Sequence, residues 1–143
     1  MVGGQALDMA SEGRAIDIET LERLHSLKTG ALLHACVRLA ADGRPDLAAR
    51  KRDALDRFAT RIGLAFQVRD DVLDIDSDTA TLGKTQGADI AHDKATYPAL
   101  LGLEAARAYA DRLYAEAVEA LAVFGGSADA LRAIAAEIVQ RDH

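Results

Sequence analysis

The chain has 143 residues, the size of one ordinary domain, and half of them are hydrophobic, enough to bury a core. The formal net charge is −6 and no block of Lys or Arg stands out, which argues against a nucleic-acid partner. Two Pro, one Cys, no Trp and few β-branched residues in an Ala- and Leu-rich chain favour an all-α protein and exclude an intramolecular disulfide.

The opening stretch, Met1-Val2-Gly3-Gly4-Gln5-Ala6-Leu7-Asp8, reads as helix interior with no capping residue before it. The chain is therefore expected to begin inside an element, as a fragment of a larger protein would. Residues 3–12 form a short helical piece whose paired glycines suit a close approach of backbone or ligand. Asp17 or Thr20 can cap the next helix, which is expected to run to about residue 41. Its apolar positions Leu21, Leu24, Leu27, Ala31, Leu32, Ala35 and Leu39 keep helical spacing, and Cys36 reads as a small buried core residue. Within this helix lies Lys28-Thr29-Gly30, where a mid-helix glycine signals close approach or helix packing.

Asp42-Gly43-Arg44-Pro45 is a turn. A long helix over 46–75 follows, with Leu47, Leu55, Phe58, Ile62, Ala65, Phe66, Val72 and Leu73 as its apolar stripe. Residues 76–88 read as a polar loop carrying Gly83, Lys84, Thr85 and Gly87, and 89–94 as short helical or irregular chain. Thr96-Tyr97-Pro98 opens a helix to about residue 124, with Pro in the first turn, where its missing N–H does no harm. Gly125-Gly126-Ser127 turns the chain, and Ser127 or Asp129 caps a last helix to about residue 140. There is no repeat, no low-complexity stretch and no apolar run long enough to span a bilayer. No signal-like stretch opens the chain, so the default expectation is cytoplasmic.

The chemistry concentrates in Asp70-Asp71-Val72-Leu73-Asp74. Asp70 and Asp74 stack one turn apart on a helix, and Asp71 is expected to lean to the same side. Near the helix C-terminus, where the dipole is negative, three carboxylates repel one another unless a cation neutralises them. A hard divalent ion does so, and Mg²⁺ brings substrate phosphates with it. Asp74, Asp76 and Asp78 alternate like the start of an EF-hand loop, but Thr79 and Thr85 stand where that motif needs Gly and Glu. Lys84 lies between glycines that let backbone N–H groups face an anion, although Walker A spacing is missing. Lys28 and Lys94 are further candidate anion contacts. Together these residues suggest a phosphorylated substrate with an apolar body.

Five blocks in order carry a family resemblance: Gly3 to Asp8; Leu24-His25-Ser26-Leu27-Lys28-Thr29-Gly30-Ala31-Leu32; Gly63-Leu64-Ala65-Phe66-Gln67-Val68-Arg69 through Asp74; Leu82-Gly83-Lys84 through Gly87-Ala88-Asp89; and Lys94-Ala95-Thr96-Tyr97-Pro98. The chain resembles the trans-prenyltransferases, or polyprenyl diphosphate synthases, most closely the bacterial farnesyl type. The resemblance implies an isoprenoid synthase-type helical bundle, of which residues 1–143 are the C-terminal portion. It implies head-to-tail condensation of an allylic diphosphate with isopentenyl diphosphate, using Mg²⁺, with Mn²⁺ as a substitute. Asp70, Asp71 and Asp74 match the second of two metal-binding motifs, with Asp70 the direct ligand. Lys28, Lys84 and Lys94 match lysines that hold the allylic diphosphate. Thr29 and Gln67 match neighbours of the reacting carbons, and Asp89 a carboxylate behind the metal site. The first aspartate-rich motif and the basic group for isopentenyl diphosphate have no counterpart in the chain. The resemblance thus implies a homodimer, or assembly with the missing half. The alternative is a non-catalytic regulatory subunit that pairs with a complete synthase.

Overall fold

The computed structural model describes residues 2–11, 14–82 and 95–141, with the backbone alone over 77–82. Lys84, Asp89 and Lys94, with the rest of 83–94, lie outside the described residues. The chain is all-α: α1 (Val2–Ser11), α2 (Ile18–His25), a π-helical turn (Ser26–Gly30), α3 (Ala31–Asp42), α4 (Ala49–Leu82), α5 (Tyr97–Leu101), α6 (Leu103–Ala120), a 3₁₀ segment (Leu121–Ala128) and α7 (Asp129–Gln140). No strand occurs among the described residues, and no helix there is long and apolar enough to cross a membrane.

The bundle is built on α4, which packs most extensively against α6 and also meets α3, α7 and the π-turn. Ala54, Phe58, Ile62, Ala65, Val68 and Val72 are buried along one stripe of α4. Ala106, Ala110, Leu113 and Ala117 do the same on α6. Spacings of three and four keep each set on one helix face. The many alanines let the two axes approach closely.

The α4 boundaries differ from the sequence expectation at both ends. Asp46 stays in the turn, where it accepts from Arg44. Arg52 closes that turn by donating to Ala41 O at 3.0 Å, Leu47 O at 3.2 Å and Arg44 O at 2.6 Å, so the helix starts at Ala49. At the other end it continues to Leu82 through the start of the expected loop. No breaker occurs before Gly83, and a helix in progress continues residue by residue until one does. Asp74 therefore lies about two turns inside the helix, and the dipole argument for the aspartates does not hold, because that effect is confined to the last turn.

The expected helix over 20–41 is interrupted. Asp17 caps it as anticipated, its Oδ1 accepting from Thr20 N–H at 2.8 Å; hydrogen bonds from the Thr20 side chain and then its backbone hold the Asp17 carboxyl below its ordinary pKa. At Ser26 the chain then widens into a π-turn. One extra residue in a turn rotates everything after it by about 100°. The buried stripe of α2, with Leu21 and Leu24, does not continue to Leu32 and Leu39, both of which are exposed. Leu33 and Val37 are half-buried instead, and Ala41 is buried. Cys36, expected in the core, is exposed for the same reason.

The helix expected over 96–124 is likewise broken, at Gly102, whose φ of 85° is open to glycine and few other residues. Gly125, with φ 55°, kinks the 3₁₀ segment at the expected turn. Neither Ser127 nor Asp129 caps α7. Ser127 Oγ donates to Phe124 O, and Arg132 braces the corner through Leu121 O, Gly125 O and Asp129.

Candidate active site

The π-turn is clamped between two helices through glycines. A Cβ on Gly4 of α1 would stand 2.3 Å from the backbone nitrogen of Lys28, so only glycine allows this approach, whereas Gly3 faces open space. On the other side, a Cβ on Gly63 of α4 would stand 3.1 Å from Gly30 Cα. The two turn residues singled out from sequence each find a partner across these contacts. Thr29 Oγ1 donates to Gln67 Oε1 at 2.9 Å. Lys28 Nζ donates to Asp8 Oδ2 of α1 at 2.5 Å, both side chains being about a third exposed. A π-turn inside an α-helix is a frequent mark of a functional position.

Gly63, Gln67, Asp70 and Asp74 follow one another on α4 at intervals of four, three and four, and so form a single row. The π-turn lies along the first half of that row, and the carboxylates of Asp70 and Asp74 continue it. Asp70 is about half exposed and Asp74 is exposed. Asp71 does not join them. It lies about 100° round the helix from Asp70, is 5% exposed, and its Oδ2 accepts the backbone N–H of Tyr97 at 3.1 Å.

Asp70 Oδ1 accepts from Arg141 Nη2 at 2.7 Å. Arg141 is held in turn by its carbonyl, which accepts from Arg69 at 2.9 Å, and by the face of Phe66. Asp76, the next acid along, pairs with Arg107 of α6 at 2.6 Å. Behind Asp71, Tyr97 is fully buried, its ring centroid 5.5 Å from that of His25 and 5.8 Å from that of Tyr109. The Tyr109 hydroxyl donates to Glu22. Burial first, then the neighbouring Glu22, raises the Tyr97 phenol above its ordinary pKa; burial and the bond to Glu22 push Tyr109 up to about 12.

Among the described residues no group of three His, Cys, Asp or Glu is placed to hold a metal ion. Two carboxylates one turn apart still match what Mg²⁺ asks of a protein, which is one or two carboxylates with substrate phosphates completing the shell. The donor set of Asp70 and Asp74 therefore fits that ion. The pairings of Asp8 with Lys28 and of Arg141 with Asp70 went unread in the sequence, since both join residues far apart in the chain.

An all-α bundle thus sets a lysine-bearing π-turn against the first half of a row on α4 that ends in two carboxylates. The chain belongs to the Polyprenyl synthetase family, which it matches over residues 1–134. It is 50% identical over 145 aligned positions to the farnesyl diphosphate synthase of Escherichia coli, an alignment covering 99% of this chain and 48% of that protein. The structure of an FPP/GFPP synthase from Zymomonas mobilis superposes with a TM-score of 0.80 at 41% identity, over 96% of this chain and 45% of that one. A geranyltransferase from Helicobacter pylori, solved with magnesium and isoprenyl diphosphate, superposes with a TM-score of 0.75 at 31% identity, over 98% and 46%. The fold is thus that of the isoprenyl diphosphate synthases, and the chain spans about half the length of the curated relatives it matches.

Proposed function

We propose that this chain is the C-terminal portion of a farnesyl-type prenyl synthase domain, and that the complete protein joins an allylic diphosphate, dimethylallyl or geranyl, to isopentenyl diphosphate. The observation that carries this reading is the row on α4: the Thr29–Gln67 hydrogen bond at 2.9 Å leads directly to the carboxylates of Asp70 and Asp74. Family membership and the name of the Escherichia coli relative support it.

In the reaction the allylic C–O bond breaks and its electron pair leaves on the diphosphate. The double bond of isopentenyl diphosphate supplies the pair for the new C–C bond, and the departing diphosphate takes the proton then lost from the neighbouring carbon. Asp70 and Asp74 are the residues to hold Mg²⁺, or Mn²⁺ in its place, which when bound supplies Lewis-acid stabilisation of the leaving anion. Lys28, with Lys84 and Lys94 from outside the described residues, clamps the same anion by charge. The oxygen dipoles of Thr29 and Gln67 offer the allylic cation partial negative charge without a nucleophile strong enough to trap it. Asp71, committed to Tyr97 N–H, serves the metal site from behind.

The test compares the isolated chain with the complete polypeptide, using labelled isopentenyl diphosphate and geranyl diphosphate. The chain alone is expected to make no farnesyl diphosphate. The complete protein should make it, and Asp70→Ala should lower turnover at least about 100-fold while the fold survives. Full activity of Asp70→Ala would reduce the acidic row to a solvated face. A complete protein that is inactive alone but stimulates another synthase would favour the regulatory subunit instead.

A further inference from the structure

We propose that Tyr97 is a positioning residue for the Lys28–Thr29 turn, seated by the carboxylate of Asp71 and bearing on the turn through the ring of His25. The proposal rests on the reading that Lys28 and Thr29 face substrate. A π-turn is rare and occurs mostly as a single turn within an α-helix, so its shape depends on what packs around it. Here α4 imposes it along two routes. The direct route is Gly63 against Gly30 and Gln67 against Thr29. The indirect route begins one turn further on, at Asp71, which is buried and accepts the Tyr97 N–H at 3.1 Å.

That bond takes one of the open N–H groups at the start of α5. Thr96 Oγ1 takes a second, from Ala99 at 3.3 Å. The first turn of α5 is thereby tied down, and the Tyr97 side chain, fully buried, has nowhere else to go. Its ring meets that of His25 at 5.5 Å and 51°, a tilted aromatic contact. His25 is itself buried, is the last residue of α2 and directly precedes the π-turn. The Tyr97 ring also meets Tyr109, whose hydroxyl donates to the Glu22 carboxylate of α2. Movement of Tyr97 would thus reach the lysine-bearing turn through one intervening residue. The Tyr97 hydroxyl has no hydrogen-bond partner among the described residues, so the ring and the backbone carry this role.

The experiment uses the complete natural protein and compares Tyr97→Met, Tyr97→Phe, Asp71→Ala, Asp71→Asn and Asp70→Asn. Met fills the volume without a ring; Asn keeps an acceptor for the Tyr97 N–H. The readouts are affinity for Mn²⁺ with inorganic pyrophosphate by calorimetry, kcat and KM for geranyl diphosphate, and the melting temperature. Tyr97→Met is expected to weaken pyrophosphate binding and lower kcat by about tenfold at temperatures where it is fully folded. Tyr97→Phe should restore both to within about threefold. Asp71→Ala should behave like Tyr97→Met, and Asp71→Asn should recover most of the loss. A lower melting temperature for Tyr97→Met with binding and kcat unchanged would overturn the proposal, as would failure of Phe to rescue. If Tyr97→Met does not fold, the Asp71 pair decides alone: no rescue by Asn makes Asp71 a direct ligand and overturns it. Asp70→Asn reports separately on the functional reading. Wild-type pyrophosphate binding in that variant would sink the metal site itself, whereas a loss there with none in Tyr97→Met sinks only the positioning role.

Discussion

Arg141 meets α4 at two points: its guanidinium donates to Asp70 Oδ1 at 2.7 Å, and its central carbon lies 4.4 Å from the centroid of the Phe66 ring, one turn earlier on the helix. The end of the described chain thus sets a positive charge on the carboxylate expected to meet a metal ion. On the proposed reading, Arg141 and a metal ion would compete for that oxygen. Arg141→Gln should therefore tighten Mn²⁺ binding when diphosphate is absent. An ion pair at a half-exposed carboxylate is worth about 1 kcal/mol, so the gain should be about fivefold. Manganese titration followed by electron paramagnetic resonance measures it; weaker binding in the variant would mean that Arg141 helps the metal rather than displacing it.

The glycine pair of α1 gives a contrast within one dipeptide. Gly4→Ala forces a Cβ against the Lys28 backbone, and overpacking of this kind costs on the order of 1–3 kcal/mol. It should lower the melting temperature by several degrees and separate Lys28 from Asp8. Gly3→Ala meets nothing and should be neutral or stabilise by up to about 1 kcal/mol through helix propensity. Thermal melts of the two variants check the clamp, and equal effects would count against it.

The lysines assigned to the diphosphate can be weighed one at a time. A charge-assisted contact is worth about 1.5–3 kcal/mol, so Lys28→Ala, Lys84→Ala and Lys94→Ala should each weaken a non-ionisable allylic diphosphate analogue by about 10- to 150-fold in the presence of Mg²⁺. Calorimetric titration of the complete protein gives the numbers. A lysine whose loss leaves affinity unchanged is solvated and leaves the site.

Alkaline pH should unfold the protein through Tyr97, which is buried, and Tyr109, which is half-buried. Tyr97 and Tyr109 both hold their protons more tightly in the folded state, Tyr109 up to about 12 against an ordinary 10. A raised folded pKa means that the folded state binds more protons than the unfolded one above pH 10. The contribution to stability is complete below that pH and is lost as pH rises from about 10 toward 12. Melting temperature against pH should fall in that window, and Tyr109→Phe should make the fall shallower.

Val2 and Met9 on α1, Leu27 on the π-turn, and Leu32 and Leu39 on α3 are exposed. Where such residues adjoin, contiguous exposed apolar surface tends to find a partner or aggregate. The isolated chain is expected to self-associate. A monodisperse monomer by light scattering, with a cooperative melt, would show that these residues tolerate water as they stand.

Helix content and the long central helix were legible because propensity and 3.6-residue spacing act locally. The motif residues were legible because the five blocks resemble a family, not because periodicity pointed to them. The π-turn was not legible: Ser26-Leu27-Lys28-Thr29-Gly30 carries no propensity for it, and the close approach of Gly4 and Gly63 decides it. Missing that one residue of phase misplaced Leu32, Cys36 and Leu39 together. The break at Gly102 was legible in principle, as a glycine inside an otherwise strong helix. The inward turn of Asp71 was not, because it depends on Tyr97, 26 residues away. The pairing of Asp70 with Arg141, separated by 71 residues, was beyond any local rule for the same reason.

Because Gln67, Asp70 and Asp74 ride on one unbroken helix of 34 residues, their spacing is a ruler rather than an adjustable loop. At about 1.5 Å per residue, Gln67 and Asp74 stand about 10 Å apart along the axis, and no rearrangement short of melting α4 changes that. On the proposed reading, the distance between the oxygen dipole beside the reacting carbon and the anchor of the leaving group is fixed by helix pitch. Substrates with longer or shorter hydrocarbon tails then present an identical reacting end to this half of the site, and selection for tail length falls to walls that these three residues do not form.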